Sequence, residues 1–273
     1  HRPGLEDVLV RRAIAYSIDY AKIAETAMSR YSIPARSSLI IPYGVPEQQY
    51  FNEEMARAYG WEYDPAKAIE ILEKDLGATK GNDGVYVLPD GTRLGPWTVQ
   101  CPYGWTDWMT SLEVVAASAR AVGIDIRTEY PDAPVWTDRL QNGDFDLIMN
   151  TPAGGQGPAL PWTRFREVLD DRGVPPLGQT AYRNYNRYSN PRVAELLDKA
   201  AFTSDETILT DIYQELDRIY LEDIPVIVLL YRPWEFYEFN ESYWTGFPTA
   251  DNPNAPPQQR RAGIRMLYNL EKK

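Results

Sequence analysis

The stretch that decides the fold is Thr98 to Asn150, TVQCPYGWTDWMTSLEVVAASARAVGIDIRTEYPDAPVWTDRLQNGDFDLIMN. It opens on an apolar segment, Thr98 to Pro102, that reads as a strand and runs into a Gly-Trp loop. Met109 to Val122 carries apolar residues at helical spacing, with Gly123 as its stop. Ile124 to Glu129 reads as a strand, Val135 to Gln141 as a helix and Phe145 to Asn150 as a short apolar strand. Strand, helix, strand, helix, strand in that order implies an α/β layer structure with at least partly parallel pairing, because a helix between two strands is the usual parallel crossover.

Outward from this segment the pattern continues. Val8 to Arg30 reads as one helix, with Leu9, Ala13, Tyr16, Ile23 and Ala27 near one face. Ser32 to Glu47, with three prolines and a glycine, reads as an extended loop. Asp64 is an N-cap followed by Pro65, and Ala68, Ile71, Leu72 and Leu76 line the helix that Gly77 closes. Asp83 to Leu94 reads as a hairpin turning at Pro89-Asp90-Gly91. Asn190 to Phe202 and Asp205 to Glu222 read as helices, Pro225 to Tyr231 as an apolar strand, Asn240 to Gln259 as irregular, and Ile264 to Leu270 as a last strand.

Composition narrows the function. The 273 residues carry 28 Lys+Arg against 39 Asp+Glu, a net charge of −11 that repels phosphate backbones, so nucleic acid is excluded as an expected partner. No apolar run reaches the ~20 residues that span a bilayer. The single Cys101 forms no internal disulfide, and the single histidine, His1, leaves no imidazole for a Ser-His-Asp triad, a Cys-His dyad or a histidine metal site. Asn82, Asp83, Asp90 and Gly91 lack calcium-loop spacing and suit a hairpin turn better. Gly154-Gly155-Gln156-Gly157 is followed by no Gly-Lys-Ser/Thr, so it is not a phosphate loop. Arg11-Arg12 and Arg260-Arg261 read as ordinary surface pairs. No cofactor and no metal are expected. The start lacks a signal-peptide pattern, and the chain reads as an interior or mature piece.

Eight Trp and 19 Tyr against seven Phe favour rings with a polar handle, as suits an amphipathic ligand. Four ordered segments then resemble one family. They are VRRAIAYSIDYAKIAETAMS (10–29), YDPAKAIEILEKDLGA (63–78), AVGIDIRTEY with WTDRLQNGDFDLIMN (121–130, 136–150), and YSNPRVAELLDKA with YQELDRIYLEDIPVIVLLY (188–200, 213–231). The chain resembles the C-terminal half of family 5 solute-binding proteins of ABC transporters, which take oligopeptides, dipeptides or oligosaccharides. The resemblance implies the C-terminal lobe of a type II periplasmic-binding-protein fold, a mixed sheet flanked by helices. Residues 8–232 would be the ligand-binding lobe, and 233–273 a return segment toward the hinge and a missing N-terminal lobe. It implies non-catalytic capture and delivery to an ABC-transporter permease, in a periplasmic or extracellular setting.

Peptide binders of this family place an Asp after the strand that here ends at Asn150, and it pairs with the peptide ammonium. Asn150 to Gly157 contains no Asp. A lost charge-assisted bond of about 1.5–3 kcal/mol disfavours peptide and leaves small and amide residues, which suit sugar hydroxyls. Trp and Tyr suit the flat C–H face of a sugar. The ligand-contact candidates are therefore Trp105, Trp108, Trp136, Asn150, Gly155, Trp162, Arg164 and Phe247, for a cello- or manno-oligosaccharide. For each Trp the competing reading is core packing, which is the default for Trp61 and Trp97. An oligopeptide or dipeptide binder of the same family is the alternative. A glycoside hydrolase is a second one, but Asp107 is the one acid placed at a strand end beside the Trp loop, without an obvious partner.

Overall fold

The computed structural model describes residues 2–43, 47–152, 161–231, 239–249, 251–252 and 263–273. It opens on two helices, α1 (Val8–Ser17) and α2 (Tyr20–Thr26), where the periodicity reads one. The break falls at Ile18, whose backbone is extended. The next residue, Asp19, accepts from the Lys22 N–H and so caps a fresh helix. Strand β1 (Ile33–Pro34) and helix α3 (Glu53–Tyr59) follow. Helix α4 (Pro65–Glu70) starts on the Asp64 cap as expected and runs into a π-helical turn, Ile71–Asp75, before Gly77 turns the chain at φ +63°.

The expected hairpin gains a strand. β3 (Tyr86–Val87) pairs antiparallel with β2 (Thr79–Lys80) on one side and bridges Arg93 on the other. The Asp90 carboxylate accepts from the Thr92 N–H within the second turn, and Asp83 accepts from Val85, so hairpin geometry accounts for both acids.

Three parallel strands follow in the order the sequence dictates. β4 (Trp97–Gln100), α5 (Thr106–Ala121), β5 (Ile126–Glu129), α6 (Ala133–Asn142) and β6 (Leu147–Ile148) form two successive crossovers, with strand order β5-β4-β6. Trp97 stands opposite Ile126, and Gln100 stands opposite both Glu129 and Ile148. Gly123, at φ +89°, ends α5 against the Tyr86 ring, where a Cβ would sit 2.7 Å from Cδ2. Parallel and antiparallel pairings thus occupy separate small sheets within an α/β architecture.

Beyond them lie α7 (Pro161–Leu169), α8 (Pro191–Ala201), α9 (Glu206–Asp223) and β7 (Leu230–Tyr231). Only the last two residues of the apolar Pro225–Tyr231 run join a ladder, antiparallel to β1. The core is continuous from α1, α4 and α5 through the parallel sheet to α8 and α9. Among the described residues, no helix is long and apolar enough to cross a membrane.

Arg11 and Arg12 are not surface ornaments. Arg11 donates to the carbonyls of Asp223 (2.7 Å) and Ile224 (2.9 Å), and Arg12 to that of Leu221 (2.7 Å). These are the orphan acceptors at the C-terminal end of α9, where a cation is also favoured by the helix dipole. Asp217 of α9 is buried. It accepts from Ser38 Oγ (2.8 Å) and the Leu39 N–H (2.9 Å), pinning the 36–41 loop.

The chain divides into two compact units, residues 1–232 and 233–273. In the second, β8 (Trp244–Thr245) pairs antiparallel with β9 (Glu271–Lys272), and α10 spans Gly263–Leu267. The expected strand at Ile264–Leu270 is corrected by this helix. Ile264, Leu267 and Tyr268 stand at spacings of three and four, which is helical and not alternating.

Candidate ligand-binding site

Because β4, β5 and β6 are parallel, their C-terminal residues Gln100, Glu129 and Ile148 fall on one edge of the sheet. The loops that leave this edge carry Tyr103–Trp105, Tyr130–Asp132 and Met149–Pro152. Open α/β sheets bind ligands outside the carboxyl ends of their strands, where successive loops diverge. The first two loops are tied together by the Tyr103 N–H donating to the Pro131 carbonyl at 2.8 Å. The third is tied to the sheet by the Met149 N–H donating to the Gln100 carbonyl at 2.8 Å.

Trp105 directly precedes α5 and follows Gly104, whose φ of +86° and open surroundings suit a residue without a Cβ. The Trp105 ring is 43% exposed. It meets Trp108 edge-on at 4.8 Å and Trp136 at a tilt at 5.8 Å, and Trp108 and Trp136 meet at 6.0 Å. Trp108 and Trp136 are themselves buried, at 5% and 8% exposure. The three indoles are one wedge with a single open face. This corrects the expectation that Trp108 and Trp136 are free to touch a ligand: they hold Trp105 upright. Tyr103 on the first loop and Val135 in the first turn of α6 are also exposed. The Trp136 Nε1 is buried and meets no acceptor among the described residues.

A polar cluster adjoins the rings. Arg139 of α6 donates from Nη1 to Gln100 Oε1 (2.9 Å) and to Glu129 Oε1 (2.8 Å). Glu129 remains 41% exposed, so it presents a carboxylate at the sheet edge. Burial, with Asp107 nearby, pushes the Cys101 thiol up to about 12, so it stays protonated and is no nucleophile. Among the described residues no group of three acids, His or Cys is arranged to hold a metal ion.

The other candidates scatter. Asn150 lies half-buried two residues past β6, on the same edge. Gly155 lies outside the described residues. Trp162 sits on α7, where its Nε1 donates to the Leu197 carbonyl (2.8 Å) and the Arg166 guanidinium covers its ring at 5.7 Å. Arg164 is taken up entirely in the interior: it forms a two-pronged pair with buried Glu47 (2.8 and 2.9 Å) and donates to the Leu39 carbonyl. The expectation that it offers donors to a hydroxyl is corrected by these partners. Phe247 belongs to the 233–273 unit and stacks on Phe239 at 4.5 Å. Trp61 and Trp97 are buried, as core packing requires. The residues that sequence reasoning missed are Gln100, Glu129, Arg139 and Val135. Gln100 and Glu129 stand last in their strands, a position legible once parallel pairing is granted.

Comparison with known proteins supplies the family. Residues 1–175 match the family described as bacterial extracellular solute-binding proteins, family 5 Middle. A periplasmic oligopeptide-binding protein from Thermotoga maritima, solved with mannohexaose bound, is 32% identical with a TM-score of 0.85. That alignment covers 100% of this chain and 50% of the other. The oligopeptide-binding protein OppA of Bacillus subtilis is 21% identical over 81% of this chain and 36% of its own length. A probable D,D-dipeptide-binding periplasmic protein of Escherichia coli is 22% identical over 83% of this chain and 38% of its own length. This chain therefore spans little more than a third of the curated relatives it matches. With the fold and the matched segment in agreement, the chain belongs to the bacterial extracellular solute-binding proteins of family 5.

Proposed function

We propose that this chain is the C-terminal lobe of a binding protein that captures an oligosaccharide, of the manno- or cello-oligosaccharide type, for uptake through an ABC transporter. Residues 233–273 are then the segment returning toward a hinge and a first lobe. The observation that carries the reading is the single open indole face of Trp105, braced by Trp108 and Trp136 at the carboxyl edge of the parallel sheet. A flat, rigid, half-exposed ring is a platform for the C–H face of a pyranose, and its rigidity lowers the entropy lost on binding. Asn150, half-buried on the same edge, supplies an amide group that both donates and accepts. Trp162 and Arg164 are left out of the site, because their polar atoms are engaged within the lobe. The mannohexaose in the Thermotoga relative supports the same ligand class. Capture involves no chemistry on the ligand, and the setting is periplasmic or extracellular, as for the family.

A second reading, peptide binding, is favoured by the names of the curated relatives and by Glu129. Its exposed carboxylate stands at the sheet edge and is able to meet a peptide ammonium in place of the absent Asp. Calorimetry of the complete two-lobed protein separates the two. A one-to-one heat with mannohexaose or a cello-oligosaccharide, and none with mixed tri- and tetrapeptides, is expected. Peptide heat that Glu129→Gln abolishes, without sugar heat, overturns the carbohydrate reading in favour of the second. Release of shorter sugars during incubation contradicts both.

A further inference from the structure

The far end of the parallel sheet carries a site of different character. A groove of about 640 Å³ is lined by Lys80, Asp83, Gly84, Val85, Arg93, Arg120, Ile124, Asp125 and Arg127. Arg93 leads into β4, Asp125 directly precedes β5 and Arg127 is its second residue, so the groove lies at the amino ends of these strands. Trp105 leaves the carboxyl end of β4, and four residues of strand at about 3.3 Å each separate the two ends by roughly 13 Å of sheet.

Its charges do not cancel. Four cations face two carboxylates, a local surplus of two positive charges in a chain of net charge −11. The two acids are already consumed. Asp125 is held by Arg127 (2.9 Å) and Arg93 (3.1 Å), and Asp83 by Arg93 (3.0 Å). Among the described residues Lys80 forms no ion pair; its ammonium lies 5.1 Å from the centre of the Tyr86 ring. Arg120 spends one nitrogen on the Ile126 carbonyl and likewise has no carboxylate partner. Arg93 adds a buried Nη1 that meets no acceptor among the described residues, on a side chain one-third exposed and so free to re-aim it. A concave surface with surplus charge of one sign focuses its field into the groove, and guanidinium forks match the oxygens of phosphate and sulfate.

We propose that this groove binds a dianionic oxyanion, a phosphate or sulfate group, at the end of the lobe opposite the carbohydrate platform. Lys80 and Arg120 supply the uncompensated charge, and Arg93 turns its spare N–H to the anion. The site is independent of what Trp105 binds.

The test uses the complete protein at constant ionic strength and pH 7.5, with inorganic phosphate, sulfate and glycerol 1-phosphate as probes and chloride as the control. Saturable shifts of the Gly84, Val85 and Ile124 amide resonances are expected with the oxyanions and not with chloride. Lys80→Gln should weaken the apparent affinity at least fivefold, while Trp105→Ala should leave it unchanged. Tighter binding of glycerol 1-phosphate than of free phosphate marks the group as part of a larger ligand; the reverse marks a free ion. Shifts that do not saturate, that chloride reproduces, or that survive in both Lys80→Gln and Arg120→Gln overturn the proposal. Both side chains are exposed, and a melting curve on each variant separates lost binding from lost fold.

Discussion

Replacing Trp105 by alanine removes the one open face of the indole wedge. The ring is 43% exposed; applied to a Trp of roughly 250 Å², that leaves about 110 Å² available to a ligand. At about 25 cal/mol per Å², complete coverage contributes about 2.7 kcal/mol, and a sugar ring covering half of it about 1.3 kcal/mol. Trp105→Ala in the complete protein should therefore weaken oligosaccharide binding about 10- to 100-fold, since each 1.4 kcal/mol is a factor of ten. Trp105→Phe should recover part of that loss. Trp97→Phe, at a buried ring at the start of β4, should leave the affinity unchanged. Calorimetric titration reads the affinity, and a melting curve on each variant separates lost contact from lost fold. An affinity within twofold of the parent, in a Trp105→Ala protein that melts normally, refutes the platform reasoning.

Three further outcomes follow from the interior. Arg164→Met or Glu47→Gln alone strands a buried charge and should cost about 3–5 kcal/mol by denaturant titration, whereas the double replacement should recover much of that. Asp217 is pushed up to about 7, chiefly by burial, against the opposing hydrogen bonds from Ser38 and Leu39 and the charge of Arg164. Between the usual carboxylate range and pH 7 the folded chain then holds a proton that the unfolded chain releases, so Asp217 makes stability fall as pH rises through this window. The difference in melting temperature between parent and Asp217→Asn should change across pH 4–7 and flatten above it; a constant difference contradicts the burial argument. Gly123→Ala drives a Cβ into the Tyr86 ring at a backbone angle of +89° and should lower the melting temperature by several degrees.

The α/β order was legible because each crossover writes its own pattern: Gly123 and Gly143 stop the helices, and Ile124–Glu129 and Phe145–Asn150 start apolar. What local pattern does not contain is long-range partnership. Nothing near Arg11 says that its acceptors lie at 223 and 224, or near Arg164 that its partner is Glu47. The periodicity of Val8–Arg30 hid a capping Asp19, because the second helix resumes nearly in phase with the first. The site divides the same way. Trp105 and Trp108 were readable from the Gly-Trp loop and Trp136 from the start of its helix, but that the three rings meet and that Trp105 alone of them stays open depends on how α5 and α6 pack. Glu129 and Arg139 emerged only once the parallel register set strand ends side by side.

The indole N–H spectrum of the complete protein, titrated with mannohexaose, tests the carbohydrate platform most directly. The Trp105 resonance, assigned by its disappearance in Trp105→Phe, should shift with saturation, and the buried Trp61 and Trp97 resonances should stay in place. A Trp105 resonance unmoved by any oligosaccharide, or moved only by peptides, contradicts the account.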